Sequence, residues 1–345
     1  MIERINAEHK KKFLCLLVIF IIANIIVFCM ALMIGHYGFI DPITLVKAVI
    51  SSMGLETDIS RSSVNIVTLI RFPRTLASFL VGGALAVAGL VYQNTFNNKL
   101  VSPDILGVSS GCCVGAGIAI LMGMNGTMIS ILAFVFGFGA VILSLLLPKL
   151  FKNKSSLTLV LSGIIVGSFG TSIIGLLKYL ADRDDKLAEL TFWMMGSVSS
   201  VTTRDDLYVL PIVLVCFVVL VIMSMRIDIV SFGRDEAQAL GINYKANRLI
   251  IVGCSTLLTA ASVSISGNVG WVGLVVPHIA RALVGNKSKE SLPIAFLFGS
   301  MFMMFVDMLA RTMSHDEVPL SIITGILGGI IYTIVLMKKG RMLNE

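Results

Sequence analysis

One run constrains the sequence more than any other: residues 105–148, 44 in succession, contain no Asp, Glu, Lys or Arg. A helix needs about 20 apolar residues to cross the hydrocarbon core of a bilayer. The run therefore accommodates two crossings, with Met124-Asn125-Gly126 as the turn between them. A second uncharged run of 23 residues, Phe13–Gly35, follows Lys10-Lys11-Lys12. It is too long for a signal-peptide core and lacks a clear small-residue cleavage site, so it reads as a retained signal-anchor. Charged residues make up 14% of the chain, against about 25% in soluble domains. That deficit excludes an ordinary water-soluble enzyme.

The same criterion predicts an all-α polytopic membrane protein, about ten transmembrane helices in a compact bundle, with residues 1–345 forming a single transmembrane domain. The first span is 13–35, spans two to four occupy 71–148, spans five and six 157–225, and spans seven to ten 249–337. Segment 229–245 between them is cytoplasmic, and a break at Ser266-Gly267-Asn268-Val269-Gly270 divides the seventh span from a shorter eighth. Ten crossings put both termini on one side. With that side in the cytoplasm, the inner segments, among them Lys149–Lys154 and the carboxyl end, carry 18 of the 27 Lys and Arg but eight of the 20 Asp and Glu. This is the positive-inside bias of a multi-pass protein in a cytoplasmic membrane. Many of the 31 glycines fall inside the spans, where small residues let helices approach closely.

Several function classes drop out. The net charge of +7 is spread in short clusters between apolar runs, not along one face as nucleic-acid binding requires. All six cysteines lie in apolar runs and none forms C-x-x-C, so they read as packing residues, not disulfides or zinc ligands. Gly285-Asn286-Lys287-Ser288 lacks the second glycine of a phosphate loop, and H-E-x-x-H is absent. His9, His36, His278 and His315 are scattered over separate segments. No catalytic residue, metal site or cofactor is predicted, and any energy source must lie outside this chain.

The informative polar residues lie in or beside the spans. Asp307 interrupts an apolar helix, with Arg311 one turn later; the pair either satisfies itself or leaves Arg311 facing an acidic partner. Arg71 and Arg74 flank Pro73 on the outer side, where they snorkel to lipid phosphate or meet an anionic partner. In Ser231–Lys245, Ala237, Ala239 and Leu240 supply a small apolar face and Gly241 ends a short helix; the segment is a solvated loop or a surface helix for a partner's groove. Residues 267–281 combine helix-interrupting Gly267 and Gly270 with Pro277 inside a short span. His278 in the same segment reads as a structural hydrogen-bonding residue, with a proton relay as the alternative.

Together these motifs resemble the FecCD-type permease subunits of ABC importers for vitamin B12, ferric siderophores and haem. The likeness runs from Arg71 to Tyr332 through R-F-P-R-T-L at Arg71, G-G-A-L-A-V-A-G at Gly82 and S-P-D-I-L-G-V-S-S-G at Ser102. It continues through F-W-M-M-G-S at Phe192, E-A-Q-A-L-G at Glu236, G-W-V-G-L-V-V-P-H-I-A-R at Gly270 and D-x-x-x-R at Asp307. The resemblance implies two permeases, identical or homologous, around a central pathway, two cytoplasmic ATP-binding subunits, and an extracytoplasmic substrate-binding protein. It implies that Arg71, Arg74 and Arg311 receive the binding protein's glutamates, and that Glu236, Ala237, Leu240 and Gly241 dock on the ATPase. Gln93, Asn94 and Asn97 are then candidate pathway residues, and Asp307, Pro277 and His278 structural ones. Asn98-Lys99-Leu100-Val101 replaces the family's N-P-L-A, Glu317-Val318-Pro319-Leu320-Ser321 its E-L-P-x-G, and Gly329 a common proline. The implied function is import of an iron-siderophore-type chelate by alternating access, with cobalamin or haem as alternative cargo. A proton-coupled secondary transporter using Asp307 and His278 is the reading from another class.

Overall fold

The computed structural model describes residues 2–35, 38–55, 58–150, 156–314 and 316–341. His36, His315, Lys152, Lys154 and residues 342–345 of the carboxyl end lie outside them. Every regular element among the described residues is helical. In chain order these are α1 (Ile2–Met33), α2 (Pro42–Ser52), α3 (Arg61–Asn65), a π-helical turn Ile66–Arg71 and α4 (Phe72–Thr95). A 3-10 turn Pro103–Leu106 precedes α5 (Val108–Leu121), α6 (Gly126–Leu150), α7 (Ser156–Leu180), α8 (Lys186–Met195) and α9 (Thr203–Ile222). The remainder are α10 (Ser224–Ser231), α11 (Arg234–Ala239), α12 (Tyr244–Ser266), α13 (Val272–Val284), α14 (Ser288–Ala310) and α15 (Leu320–Arg341).

Seven helical stretches among the described residues are long and apolar enough to cross a membrane. The other predicted spans fall on shorter apolar helices. α5 and α13 have 14 and 13 residues, about 20 Å at 1.5 Å per residue, less than the roughly 30 Å of a hydrocarbon core. Each begins next to non-helical backbone: α5 after Gly107 at φ +75°, α13 after Trp271 at φ +69°. The predicted break before α13 is present, since α12 ends at Ser266 and Gly267 turns at φ +65°.

α4 is the centre of the bundle, packed against α1, α9, α12, α13 and α14, and its apolar window is 89% buried. Its glycines make the packing possible. A Cβ on Gly82 would stand 2.2 Å from the Gly299 carbonyl of α14, and one on Gly89 1.8 Å from the Gly273 carbonyl of α13. α5 meets α6 in the same way, Gly115 lying against the backbone of Leu132. α1 is peripheral: only 6% of its apolar window is buried. Asn24 ties it to the bundle by donating from Nδ2 to the Leu297 carbonyl at 3.0 Å.

Local chemistry sets the helix starts. Asp41 accepts from the Thr44 amide at 3.0 Å, and Pro42 follows at the first position of α2, the arrangement that occupies orphan donors there. Thr202 and Asp205 form a reciprocal capping box that starts α9, so this span begins ahead of the expected Leu207. The short helices α2, α8 and α10 were not expected, because none has the length or uniform apolarity that marks a span.

Gly89→Ala is expected to destabilise the protein by more than about 3 kcal/mol, since the added methyl meets backbone that cannot rotate away. Gly253→Ala, in α12 with nothing within 4 Å of its Cβ position, is expected to be neutral or slightly stabilising. Thermal unfolding of the two detergent-purified variants checks the contrast.

Candidate functional site

At the amino-terminal end of α4 the sequence forces an unusual entry. Pro73 has no N–H to bond the carbonyl four residues earlier, and the preceding Ile66–Arg71 winds as a π-helix. The Arg71 guanidinium turns inward and donates to the carbonyls of Leu32 at 2.9 Å, Met33 at 2.7 Å and Gly38 at 2.6 Å. It ties the end of α1 to α4. Arg74 donates from Nε to Asp307 at 2.8 Å and from Nη1 to Glu317. Arg311 Nη2 stands 3.4 Å from Asp307 Oδ2, an ion pair without hydrogen-bond geometry.

Arg71, Arg74 and Arg311 are 2%, 5% and 3% exposed. Each of the three guanidinium groups is turned into its own chain. Burying an arginine without a counter-charge is expensive, and Asp307, Glu317 and the carbonyls after α1 supply compensation locally. Glu317 is the accessible member, its side chain 34% exposed. Asp307 lies between two arginines and is fully buried.

At the carboxyl-terminal end of α4 a second network joins four helices. Pro277 lies inside α13 and leaves the Gly273 carbonyl without its helical donor. The Gln93 amide, from α4, approaches that carbonyl at 3.5 Å and donates to Leu274 at 3.3 Å and Val101 at 3.2 Å. Arg281 donates to Gln93 Oε1 and, at 3.4 Å, to Asn94 Oδ1. Asn94 in turn donates to Ser288 Oγ at 2.9 Å. Ser288 begins α14 with its amide and hydroxyl donating to Asp228 of α10. Burial pushes the Asp228 pKa up, while its bonds with Ser288 pull it down. His278 donates from Nε2 to the Lys99 carbonyl at 2.9 Å and sits edge-on to Tyr332.

Gln93 is 2% exposed and Asn94 is engaged with Arg281 and Ser288. Asn97 is exposed at the end of α4 with φ +47°. Within this chain the amides of Gln93 and Asn94 bind helices together. In the segment between α10 and α12, Gly241 at φ +74° closes α11, its amide bonded to Gln238 and the Ile242 amide to Ala237. This is the paired carbonyl satisfaction of a glycine-terminated helix. Glu236 is exposed, Leu240 63% exposed and Phe232 68% exposed. Ala237 is 0% exposed.

Two cavities complete the picture. One of about 720 Å³ lies among α6, α8, α9, the end of α12 and the segment before α15, with Glu189, Trp193, Asp205 and Glu317 in its wall. A second, about 510 Å³, lies between the Pro103–Leu106 turn and α7. Its Asp104 accepts from the Ser109 amide at 2.8 Å. Enclosure by protein raises the pKa of this carboxyl and the Ser109 bond lowers it. Sequence reading assigned neither cavity: α8 is too short to register as a span, and Asp104 entered only as part of the S-P-D-I-L-G-V-S-S-G run.

The chain matches the FecCD transport family over residues 21–338. It is 34% identical to the molybdate import system permease protein MolB of Haemophilus influenzae, covering 90% of this chain and 92% of that one. It is 30% identical to the hemin transport system permease protein HmuU of Yersinia pestis over 78% and 82% of the two chains. A solved structure described as an inward-facing metal-chelate type ABC transporter superposes with a TM-score of 0.83 at 33% identity, covering 93% of this chain and 98% of that one.

Asp307→Asn is expected to cost about 3–5 kcal/mol, because it leaves buried arginines short of a counter-charge. Glu317→Gln, at a carboxylate open to solvent, is expected to cost about 1 kcal/mol or less. Thermal unfolding in detergent measures both.

Proposed function

The chain belongs to the FecCD transport family and is the permease subunit of an ABC importer, and we propose that it carries an iron-siderophore-type chelate into the cytoplasm by alternating access. The observation that supports a chelate most strongly is the similarity, over nearly the whole length of both chains, to a metal-chelate type transporter. Haem is the alternative cargo, favoured by the similarity to HmuU, and cobalamin follows from the same family. A proton relay through Asp307 is disfavoured, since two arginines hold that carboxylate.

In this reading α5, α13 and α15 join the seven long helices as the remaining spans of a ten-helix single permease domain, with both termini in the cytoplasm. A second copy or homologue completes the pathway. ATP hydrolysis belongs to two separate cytoplasmic subunits, which meet the exposed Phe232, Glu236 and Leu240 around the α11 turn. The binding protein lands on the outer face above Arg71, Arg74 and Arg311. There a partner carboxylate replaces Glu317 on Arg74, the one step needed to bring a buried guanidinium into contact.

Purification with the ATP-binding subunits and binding protein, followed by ATP hydrolysis against a cargo panel, tests the function. Stimulation by a binding protein loaded with one ferric chelate is the expected result; stimulation by haem or cobalamin alone reassigns the cargo. Gly241→Val is expected to lower ATPase copurification at least several-fold, because a β-branched residue resists the left-handed conformation. Full copurification with normal transport counts against that docking surface.

A further inference from the structure

A third cavity, about 390 Å³, lies where the ends of α6, α7 and α12 meet the α11 turn. Its charged residues are Lys149 at the end of α6, Arg234 of α11, and Lys245 and Arg248 near the start of α12. Among the described residues no Asp or Glu lines it. Lys149, Arg234 and Lys245 make no ion pair among the described residues. Asp235 and Glu236, on the neighbouring turn, are exposed outside the wall. Like charges around one small space repel each other, and a low-dielectric wall of one sign draws in the opposite sign.

The start of α12 adds to the pull on an anion. Its first turn carries no acidic residue, so Lys245 stands at the positive end of a 23-residue helix, where a cation is disfavoured and an anion is stabilised. Arg248 is oriented by two rings, its guanidinium carbon 5.7 Å from the centroids of both Phe96 and Tyr244, as cation–π contacts hold a charge in place. The rest of the wall selects among anions. Leu145 and Pro148 of α6, Leu159 of α7 and Leu249 and Val252 of α12 make it apolar. That apolar side continues onto the surface of the bundle, where Leu146, Leu150, Leu249 and Ile250 are exposed. A free phosphate leaves such a wall unused. A phospholipid lays its acyl chains along it while the headgroup phosphate meets the cations, the pairing that basic pockets between spans provide.

We propose that this cavity binds an anionic phospholipid, its headgroup phosphate among Lys149, Arg234, Lys245 and Arg248 and its acyl chains over Leu145, Leu159 and Leu249. The lipid then joins the α11 turn to the ends of α6 and α12 by charge. A headgroup that carries its own ammonium, as in phosphatidylcholine, brings a further cation into the cluster and is selected against. The site depends on neither the cargo nor the ATP-binding subunits.

The test puts a fluorescent reporter at the cavity, Leu249→Trp, in the full chain. The protein is reconstituted in phosphatidylcholine vesicles containing a minor fraction of phosphatidylglycerol or, in parallel, of phosphatidylcholine, labelled with a nitroxide near the headgroup end of one acyl chain. Quenching of the unmodified chain, which carries Trp193 and Trp271, is subtracted. The association ratio of phosphatidylglycerol to phosphatidylcholine at Leu249→Trp is expected to be about tenfold or more. Val215→Trp, at an exposed position of α9 outside the cavity wall, reports the general attraction of a cationic protein for anionic lipid, and its ratio is expected to stay near unity. Lys149→Gln combined with Arg234→Gln should bring the Leu249→Trp ratio down to the Val215→Trp value. If that pair does not reconstitute, Lys245→Gln alone, at an exposed position, should lower the ratio about threefold. Inorganic phosphate in the buffer should leave the ratio unchanged; displacement by it makes the site one for free phosphate and overturns the proposal. Equal ratios at the two reporters, or a preference that survives neutralisation of the cations, overturn it as well. The measurement uses neither ATP-binding subunit nor cargo, so its outcome is separate from that of the importer reading.

Discussion

The backbone-to-backbone approach of α4 to α13 and α14 is the contact on which the rest of the structure depends. Gly82 against Gly299 and Gly89 against Gly273 let three helices meet without side chains between them. In lipid there is no hydrophobic gain from such a meeting, so dispersion between closely packed backbones and a few polar bonds must supply it. The same approach sets both polar clusters. At the amino-terminal end of α4 it brings Arg74 within 2.8 Å of Asp307 on α14. At the carboxyl-terminal end it brings Gln93 and Asn94 of α4 to Arg281 and Ser288.

Those clusters make charge tolerable at membrane depth. Asp307 alone would be a severe defect in α14; between Arg74 and Arg311 it becomes a tie between helices. Pro277 would likewise strand the Gly273 carbonyl, and Gln93 is positioned beside it. The second network also extends from α13 through Asn94 and Ser288 to Asp228 on α10. The network thus joins α10 to α4, α13 and α14.

Much of the fold was legible in the sequence because the bilayer leaves few solutions. The 44-residue uncharged run resolves into α5 and α6 with its turn beside Met124-Asn125-Gly126. The glycine-rich break after Ser266 separates α12 from α13, and Gly241 ends α11 through a positive φ. Family motifs pointed to the importer class. The candidate site was less legible. Nothing in the sequence marks the internal contacts that Arg71, Arg74, Gln93 and Asn94 make with distant segments, or the burial of Ala237.

The sequence by itself determined that the chain is a helical multi-pass membrane protein and where the principal glycine breaks fall, because apolar length and glycine freedom act locally along the chain. Only the tertiary structure decided what each polar side chain does. An arginine reads the same in sequence whether it faces water or three carbonyls, and a serine reads the same as donor or acceptor. The difference is made by partners far away in the chain: Leu32 for Arg71, Asp307 for Arg74, Gln93 for Arg281. It also depends on whether a hydroxyl proton goes to its own helix or to a ligand, and that is a matter of geometry, which composition and spacing do not encode.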